Sequence, residues 1–470
     1  MQLSATGYRL STTSYRLPAD RLHPGRGDFV MLSNVKMHGR LLIGLTLLLP
    51  FLMQCASTAS TPAENRTETE SAAITVEEMA PEGAEPPPDY EDQQWADIIA
   101  EARGQTVNWY MWGGQDNINN WINGFVADTL KAEYDITLNQ VPLVDTVEAV
   151  NKVLGEVEAG VDADGSVDMI WINGENFHTL RQADLLYGPF SQFLPNSTYV
   201  NWDDPSVNTD LGFPVDYYES PWGKARMVIA YDTAKLAEPP TTIDSLVEWV
   251  KANPGKFTYP APPDFTGTAF ITHFCYQATG GHEQFTLEFD AQRFEEQFPA
   301  CWDILNEIEP FLWREGQTYP ESHARQQNLF ANGEVYFDMA FNPAEASSMV
   351  SAGRFPETTR TFVFDSGTLA NTHYVAIPVN SPHKAAAMVL ANFLLSPEAQ
   401  FSKADVENWG DFAAIEVARL PEEWQAQFDA LPVGVATLPN EILDENRLPE
   451  LPATWRIPME KGWEENVLKQ

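Results

Sequence analysis

The fold class follows from residues 105–141, which read QTVNWYMWGGQDNINNWINGFVADTLKAEYDITLNQV. Gln105–Trp112 is rich in β-branched and aromatic residues and predicts a strand, which Gly113-Gly114 ends. Apolar residues then recur at helical spacing across 117–134, and 136–141 predicts a second strand. Strand, helix and strand in succession are typical of a mostly parallel sheet with helices packed on its faces.

The same alternation continues beyond this stretch. Val147–Val157 has valines on one face of a predicted helix, and Val167–Ile172 (VDMIWI) is a nearly continuous apolar strand, as expected when both faces of a sheet are covered. Asn173-Gly174 ends that strand. Further strands are predicted at 226–231, 256–259, 334–340 and 372–378, with helices between them. The globular part of the chain is therefore expected to be α/β.

Length and charge limit the architecture and the partners. Residues 95–470, roughly 375 in number, have a globular composition and suffice for two lobes of ordinary size. The formal charge is 28 − 67 = −39 and is spread along the chain, so nucleic-acid binding is disfavoured for want of a basic stripe. Two explanations of the acidity stay open: solubility in a saline habitat, and a field that attracts cationic ligands.

The amino-terminal region contains an export signal. Residues 40–55 read RLLIGLTLLLPFLMQC, an apolar run too short to span a bilayer but typical of a secretory h-region, with basic residues just before it. We therefore expect the mature protein outside the cytoplasm, on the periplasmic or outer face of a bacterial membrane. Residues 1–30 fit no targeting pattern, so translation is expected to start at Met31 or Met37; an unusually long n-region is the alternative.

Cys55 is a candidate for lipidation. Leu52 and Cys55 resemble the lipobox of bacterial lipoproteins, but Gln54 departs from it where Gly, Ala or Ser is usual. The alternative is ordinary cleavage beyond Cys55 and a soluble product. Residues 56–94 are dominated by Ser, Thr, Pro and Glu and are expected to form a disordered, extended linker, as a lipid tether requires.

The other two of the three cysteines, Cys275 and Cys301, form a candidate disulfide in a chain bound for an oxidising compartment; two buried thiols are the alternative. No C-x-x-C or Cys/His spacing indicates zinc, and no metal or cofactor is expected.

Four landmarks resemble a known family. They are the signal with its acidic linker, Trp112-Gly113-Gly114 at a strand end, NGEVYFDMAFNPAEA (332–346) and THYVAIPVNSPHKAAAMVLANFLLSPEAQ (372–400). Together they resemble the extracellular solute-binding proteins of bacterial ABC importers, family 1-like and of the two-lobed clamp type. VDYYESPWGK (215–224) and DFTGTAF (264–270) resemble a branch labelled as thiamine-type importer components.

The resemblance implies a two-lobed periplasmic-binding-protein-like fold of type II, in which the chain crosses twice between α/β lobes. Lobe 1 is expected to comprise 95–230 and 365–470, and lobe 2 to comprise 231–364, with hinges near Tyr231 and near 364–372. The resemblance further implies a monomer that captures a small organic solute between the lobes, without a cofactor, and delivers it to a membrane permease.

Candidate ligand contacts lie in the loops that leave strands or open helices, because ligands of open α/β sheets sit beyond the carboxyl ends of the strands. Glycines and helix starts offer backbone N–H groups, and an aromatic face beside a carboxylate suits a cationic or ring-bearing solute. The alternatives are ordinary turns, core packing and solvated acids. The candidates are Trp112, Gly113, Gly114, Asn173, Glu175, Trp222, Thr266, Gly267, Thr268, Asn342 and Glu345.

An enzyme is the competing class. The sequence has no G-x-S-x-G, Walker or H-E-x-x-H motif, so no nucleophile elbow, phosphate loop or zinc-protease site is predicted. A secreted hydrolase that acts on a carbohydrate with paired carboxylates stays open, because spacing in sequence does not fix the distance between two acids. A structural envelope protein is disfavoured by the recurrence of glycine-bearing strand ends.

Overall fold

The computed structural model describes residues 79–445 and 447–468, all within one unit that spans Ser71–Gln470. The export segment, Cys55 and the linker up to residue 78 lie outside the described residues. In the described part of the chain, no helix is long and apolar enough to cross a membrane.

The described residues form eleven strands: β1 (Thr106–Trp112), β2 (Thr137–Leu143), β3 (Met169–Ile172), β4 (Thr209–Asp210), β5 (Phe213–Pro214), β6 (Glu219–Arg226), β7 (Val228–Asp232), β8 (Phe337–Ala340), β9 (Thr359–Phe362), β10 (Thr368–Ala376) and β11 (Arg447–Leu448).

The same residues form seventeen α-helices: α1 (Trp95–Ala102), α2 (Asp116–Trp121), α3 (Ala127–Tyr134), α4 (Val147–Glu158), α5 (Gly174–Gln182), α6 (Pro205–Asn208), α7 (Ile243–Ala252), α8 (Phe265–Thr279), α9 (Ala291–Gln297), α10 (Pro299–Ile308), α11 (His323–Ala331), α12 (Glu345–Ser351), α13 (Lys384–Leu394), α14 (Pro397–Ala404), α15 (Glu422–Asp429), α16 (Asn440–Glu445) and α17 (Ala453–Trp463). A π-helical turn, Ile122–Val126, joins α2 to α3.

The first sheet has the strand order β11-β10-β3-β1-β2, with β6 also paired to β10. β1 runs parallel to β2 and β3, whereas β10 runs antiparallel to β3 and β6. The parallel pairs confirm the sheet that the opening stretch predicts. β1, β2 and β3 therefore end at the same edge, at Trp112, Leu143 and Ile172.

The core of the first sheet is built from tryptophans and from α13. Ten of the eleven residues of α13 are buried, and four of its alanines let the helix pack closely against its neighbours. Trp109 of β1 meets Trp222 of β6 edge to face, with ring centroids 5.1 Å apart. We call this part of the molecule the first-sheet half.

The second sheet is antiparallel, with the order β8-β7-β9, and β7 is buried along its whole length. Its core is formed with α7, α8 and α10. A disulfide joins Cys275 of α8 to Cys301 of α10, with an S–S distance of 2.10 Å. We call this part the second-sheet half.

Two predicted elements differ from the structure. Lys256–Tyr259 belongs to no sheet; the carbonyls of Lys256 and Phe257 accept from the backbone N–H groups of Tyr336 and Trp313. The sequence does not predict β6, because Pro221 and Gly223 are residue types that are common in turns and rare inside strands.

The carboxyl-terminal helix lies elsewhere than the sequence predicts. Residues 365–470 were assigned to the first lobe, yet Trp455, Met459 and Trp463 of α17 pack in the core of the second-sheet half. The Trp455 ring meets the Phe285 ring at a centroid distance of 5.0 Å. Trp455, Met459 and Trp463 are fully buried there, so the hydrophobic effect favours this position of α17.

Candidate functional site

The loop after β1 is compact and close to its neighbours. The N–H of Gly113 donates to the carbonyl of Leu143 at 3.0 Å, and a Cβ at Gly113 would lie 2.5 Å from Cβ of Pro142. A Cβ at Gly114 would lie 2.2 Å from Cζ2 of Trp112. Both glycines thus permit close packing, and the half-buried Trp112 indole is held against the loop.

The loop after β3 places an amide and a carboxylate at the same edge. Nδ2 of Asn173 donates to the carbonyl of Thr372 at 2.7 Å, which ties the loop to β10. Gly174 has φ +59° and donates its N–H to the buried carboxyl of Asp210. Burial raises the pKa of Asp210 well above its usual value. Glu175 follows, half-buried in the first turn of α5.

The start of α8 already has its own cap. The Asp264 side chain accepts from the N–H of Gly267 at 3.0 Å, and the Asp264 carbonyl accepts from the N–H of Thr268 at 2.8 Å. A Cβ at Gly267 would lie 2.0 Å from the carbonyl oxygen of Pro260. Thr266 is buried, and the Thr268 hydroxyl donates to Glu460 at 2.9 Å. The N–H groups of Gly267 and Thr268 are therefore engaged within the protein.

The loop after β8 connects the two halves. Nδ2 of Asn342 donates to the carbonyl of Trp409, which belongs to the core of the first-sheet half, at 3.1 Å. Glu345 is buried and accepts from Nε2 of Gln327 at 2.8 Å and from Nε2 of Gln115, the residue after Gly114. Asn342 and Glu345 thus hold the end of β8 against the end of β1.

Trp222 lies in the core, not at the surface of a pocket. It is fully buried, and its ring centroid lies 4.9 Å from Trp171 and 5.2 Å from Trp409. Its carbonyl accepts from Nε2 of Gln400 at 2.9 Å and from Nζ of the buried Lys403. The turn residues around Trp222 suggested exposure, but they belong to the buried strand β6.

A group of carboxylates that the sequence analysis did not single out surrounds Arg456 of α17. Nε of Arg456 lies 3.0 Å from Oε1 of Glu460, and Nδ2 of Asn371 donates to Glu450 at 3.1 Å. Burial alone lowers the pKa of Arg456, but the charges of Glu175, Glu460 and Glu450 outweigh it and raise that pKa. Glu175 thereby belongs to a group whose other members follow residue 449.

Burial raises the pKa values of two carboxyl groups around Arg456. Burial raises the pKa of Glu450 to about 7, and it raises the pKa of Glu460. Glu219 is also fully buried, and neither of its carboxyl oxygens has a hydrogen-bond partner among the described residues. Burial and the charge of Asp210 raise the pKa of Glu219 well above its usual value. A nearby cation would stabilise the charged form of these carboxyls.

The structure brings several predicted residues together at the edge where the halves meet. The loop that follows Trp112, Gly113 and Gly114 reaches Glu345 by the hydrogen bond of Gln115, and Asn342 reaches the first-sheet half by its hydrogen bond to Trp409. Glu175 and Thr268 lie beside the Arg456 group. Two surface cavities lie elsewhere, one beside Trp302 and one beside Phe330. The Arg456 group was missed because no spacing in the sequence links Glu175 to residues 450–460.

Comparisons with known proteins agree on one family. The model for bacterial extracellular solute-binding proteins matches residues 126–431. Protein YnjB of Escherichia coli (strain K12) is 40% identical over 328 residues, which cover 70% of this chain and 84% of YnjB.

Solved structures show the same fold at low identity. The spermidine/putrescine ABC transporter substrate-binding protein PotD from Streptococcus pneumoniae has a TM-score of 0.53 at 16% identity, covering 77% of this chain and 98% of PotD. A periplasmic thiamin binding protein has a TM-score of 0.52 at 17% identity, covering 77% of this chain and 96% of its own. The resemblance and the type II, two-lobed α/β fold that it implies are confirmed. The chain belongs to the family of bacterial extracellular solute-binding proteins.

Proposed function

We propose that this chain captures a cationic organic solute between its two lobes. The observation that carries the proposal is the grouping of Glu175, Glu450 and Glu460 around the single guanidinium of Arg456. Glu450 is partly protonated near neutral pH, so Glu175 and Glu460 supply most of the negative charge that exceeds the charge of Arg456 in this group. A positively charged solute would offset that excess and the cost of burying the carboxyl groups.

Aromatic rings near this group supply surfaces for stacking. Cζ of Arg456 lies 4.6 Å from the centroid of the Phe265 ring, and Phe265 lies 4.9 Å from Phe341. On the first-sheet half, the Trp112 and Trp171 rings meet edge to face at 6.4 Å. A cation held over such faces gains about 0.5–2 kcal/mol, so aromatic rings and carboxylates favour the same class of solute.

The lobes are proposed to close on the solute by a hinge motion. We keep the predicted division after residue 364, move the first division from residue 230 to Met227 because β7 pairs with β8 and β9 in the second sheet, and assign α17 to the second lobe because its tryptophans pack there. The hinges would then lie between β6 and β7 and between β9 and β10. The hydrogen bond from Gln115 to Glu345 already joins the two halves, as a closed form requires, and closure would present both lobes to the permease.

Location and assembly complete the proposal. An extracellular solute-binding protein works outside the cytoplasm, and we propose export by the segment 40–55 and retention through a lipid on Cys55. We further propose a monomer that has no catalytic activity and binds no nucleic acid. The charge of −39 supports the last point, since it repels phosphates.

The first test is the charge of the bound solute. Ligand that copurifies with the protein would be identified by mass spectrometry, and calorimetry would compare spermidine, putrescine and thiamine with a sugar phosphate. The first three are chosen because the names of two structural relatives contain them. We expect binding of a cation. Binding of the sugar phosphate alone would refute the proposed solute class.

The second test is the role of Glu175. Glu175→Gln removes one carboxylate of the group and should weaken binding of the cation about tenfold or more. Glu158→Gln is the matched control, because Glu158 is exposed at the end of α4 in the same half. Equal affinities of the two variants would place the solute away from Arg456.

A further inference from the structure

The second-sheet half contains a buried cluster of three metal-binding side chains: His323, Asp338 and Glu345. Nε2 of His323 lies 3.2 Å from Oε1 of Glu345 and 3.9 Å from Oδ2 of Asp338. One donor atom from each residue lies within 4.8 Å of the other two. Asp338 is 1% exposed and Glu345 is 5% exposed, so both carboxylates are removed from bulk water.

One ligand atom of this cluster lacks a partner. Oδ1 of Asp338 is buried and has no hydrogen-bond partner among the described residues, while Nε2 of His323 has only its ion-pair contacts with the carboxylates of Glu345 and Asp338. A buried polar atom without a partner is costly, and native proteins leave few of them. A bound cation would satisfy the carboxylate and the ring nitrogen together, which a lone hydrogen bond between them does not achieve.

Local structure holds the three side chains in place. Ser322 caps α11, which makes His323 its first residue, and the backbone N–H of His323 donates to Asp264 at 3.0 Å. Asp338 lies within the buried strand β8. Glu345 begins α12 and receives hydrogen bonds from the amides of Gln327 and Gln115. Such outer contacts orient metal ligands in known sites.

We propose that His323, Asp338 and Glu345 bind a divalent transition-metal ion, with Zn²⁺ as the best fit to the donors. One imidazole and two carboxylates are typical Zn²⁺ ligands, and their two negative charges neutralise the ion. Ligands of tetrahedral Zn²⁺ lie roughly 3.4 Å apart, so small side-chain rotations from the observed separations complete the site. A fourth position stays available for water.

The site would also link the two halves. Oε2 of Glu345 accepts from Gln115, which follows the glycines after β1, so a metal on Glu345 stiffens a residue that contacts the opposite half. This inference does not rest on the proposed solute. The experiments therefore use the metal ion alone, and their failure would leave the solute proposal unaffected.

The test is a competition for Zn²⁺ between the metal-free exported protein, prepared with EDTA, and a chromogenic chelator. We expect one tight equivalent for the parent and at least a hundredfold weaker binding for His323→Ala. His383→Ala is the matched control, because Nδ1 of His383 pairs with Asp168 at 3.0 Å in the first-sheet half; it should bind like the parent. No tight equivalent in the parent, or equal affinity in His323→Ala, overturns the proposal.

A second measurement covers the case in which His323→Ala does not fold. Co²⁺ added to the parent should give the intense visible absorption of a four-coordinate ion, and Asp338→Asn, checked by circular dichroism, should lose it. Weak absorption of the six-coordinate, water-like type in the parent overturns the proposal. It would show that the three side chains form an ion triad without metal.

Discussion

Glu450 is a residue whose ionisation should make the stability of the protein depend on pH. Its pKa in the folded protein is about 7 because burial disfavours the charged form, whereas the ordinary value is 4.5. The folded state therefore holds a proton that the unfolded state releases. The stability that this provides is fully present below pH 4.5 and is lost as the pH rises through 7.

Glu450→Gln should remove that dependence. Relative to the parent, the free energy of unfolding of the variant should rise between pH 5 and pH 8 by on the order of 2 kcal/mol. Denaturant unfolding at both pH values measures it. Glu441→Gln, at an exposed residue of α16, is the control and should follow the parent. A pH-independent difference between Glu450→Gln and the parent would contradict the assignment.

Trp112 and Asn342 test the contact between strand ends. Trp112→Ala and Asn342→Ala should each weaken solute binding roughly ten- to hundredfold, because each removes a contact worth about 1–3 kcal/mol where the halves meet. Both side chains are only partly buried, so the variants should stay folded. Calorimetry with the identified solute is the measurement. Parent-like affinity in both would place the pocket elsewhere.

The limits of sequence reasoning are clearest among the elements. β1, β3 and α4 are nearly as predicted, since each has a strong local pattern of apolar residues. β6 could not be predicted, because its strand character comes from pairing with β10, about 150 residues later, and its own Pro221 and Gly223 oppose it. A local sequence pattern therefore predicts a helix or strand only when that element does not depend on pairing with a distant strand.

The same limit applies to the candidate site. The strand-end rule selects Trp112, Asn173 and Glu175, because they end or closely follow predicted strands, and their contact with a solute stays a prediction. It could not find Arg456 or Asp338, whose neighbours come from distant parts of the chain. Trp222 shows the converse error, in which turn-like neighbours suggested exposure for a side chain that the fold buries completely.

The disulfide between α8 and α10 gives a prediction at the element scale. Cys275 and Cys301 are buried in the core of the second-sheet half, and their bond joins two helices that pack there. Denatured, unreduced mature protein should therefore show no reactive thiol from this pair, and reduction should release two. Thiol counting under both conditions measures this. Two reactive thiols before reduction would replace the bond with two buried thiols.

At the scale of the whole molecule, the halves are joined by more than the two expected crossings. After α15 the chain reaches the second-sheet half, where the N–H of Ala436 donates to the Ser347 hydroxyl at 2.9 Å. It then adds β11 to the first sheet and ends in α17 on the second. This return segment limits how far the lobes can separate, so we expect opening by rotation about the hinges and not by wide separation.

Retention at the membrane is the prediction that concerns the whole exported chain. The expected linker 56–94 is shorter at its end than predicted, because Tyr90 is buried in the core of the first-sheet half. A lipid on Cys55 would tether the binding domain through the residues that follow it, and two acyl chains anchor stably where one is marginal. Cys55→Ser should therefore move the protein from the membrane fraction to the soluble extracytoplasmic fraction, as measured by immunoblotting. Ser57→Ala, two residues away, is the control and should stay at the membrane. If Cys55→Ser remains membrane-bound, then something other than a lipid on this residue holds the protein there. The departure of Gln54 from the small residue of a lipobox would then explain why Cys55 is not lipidated.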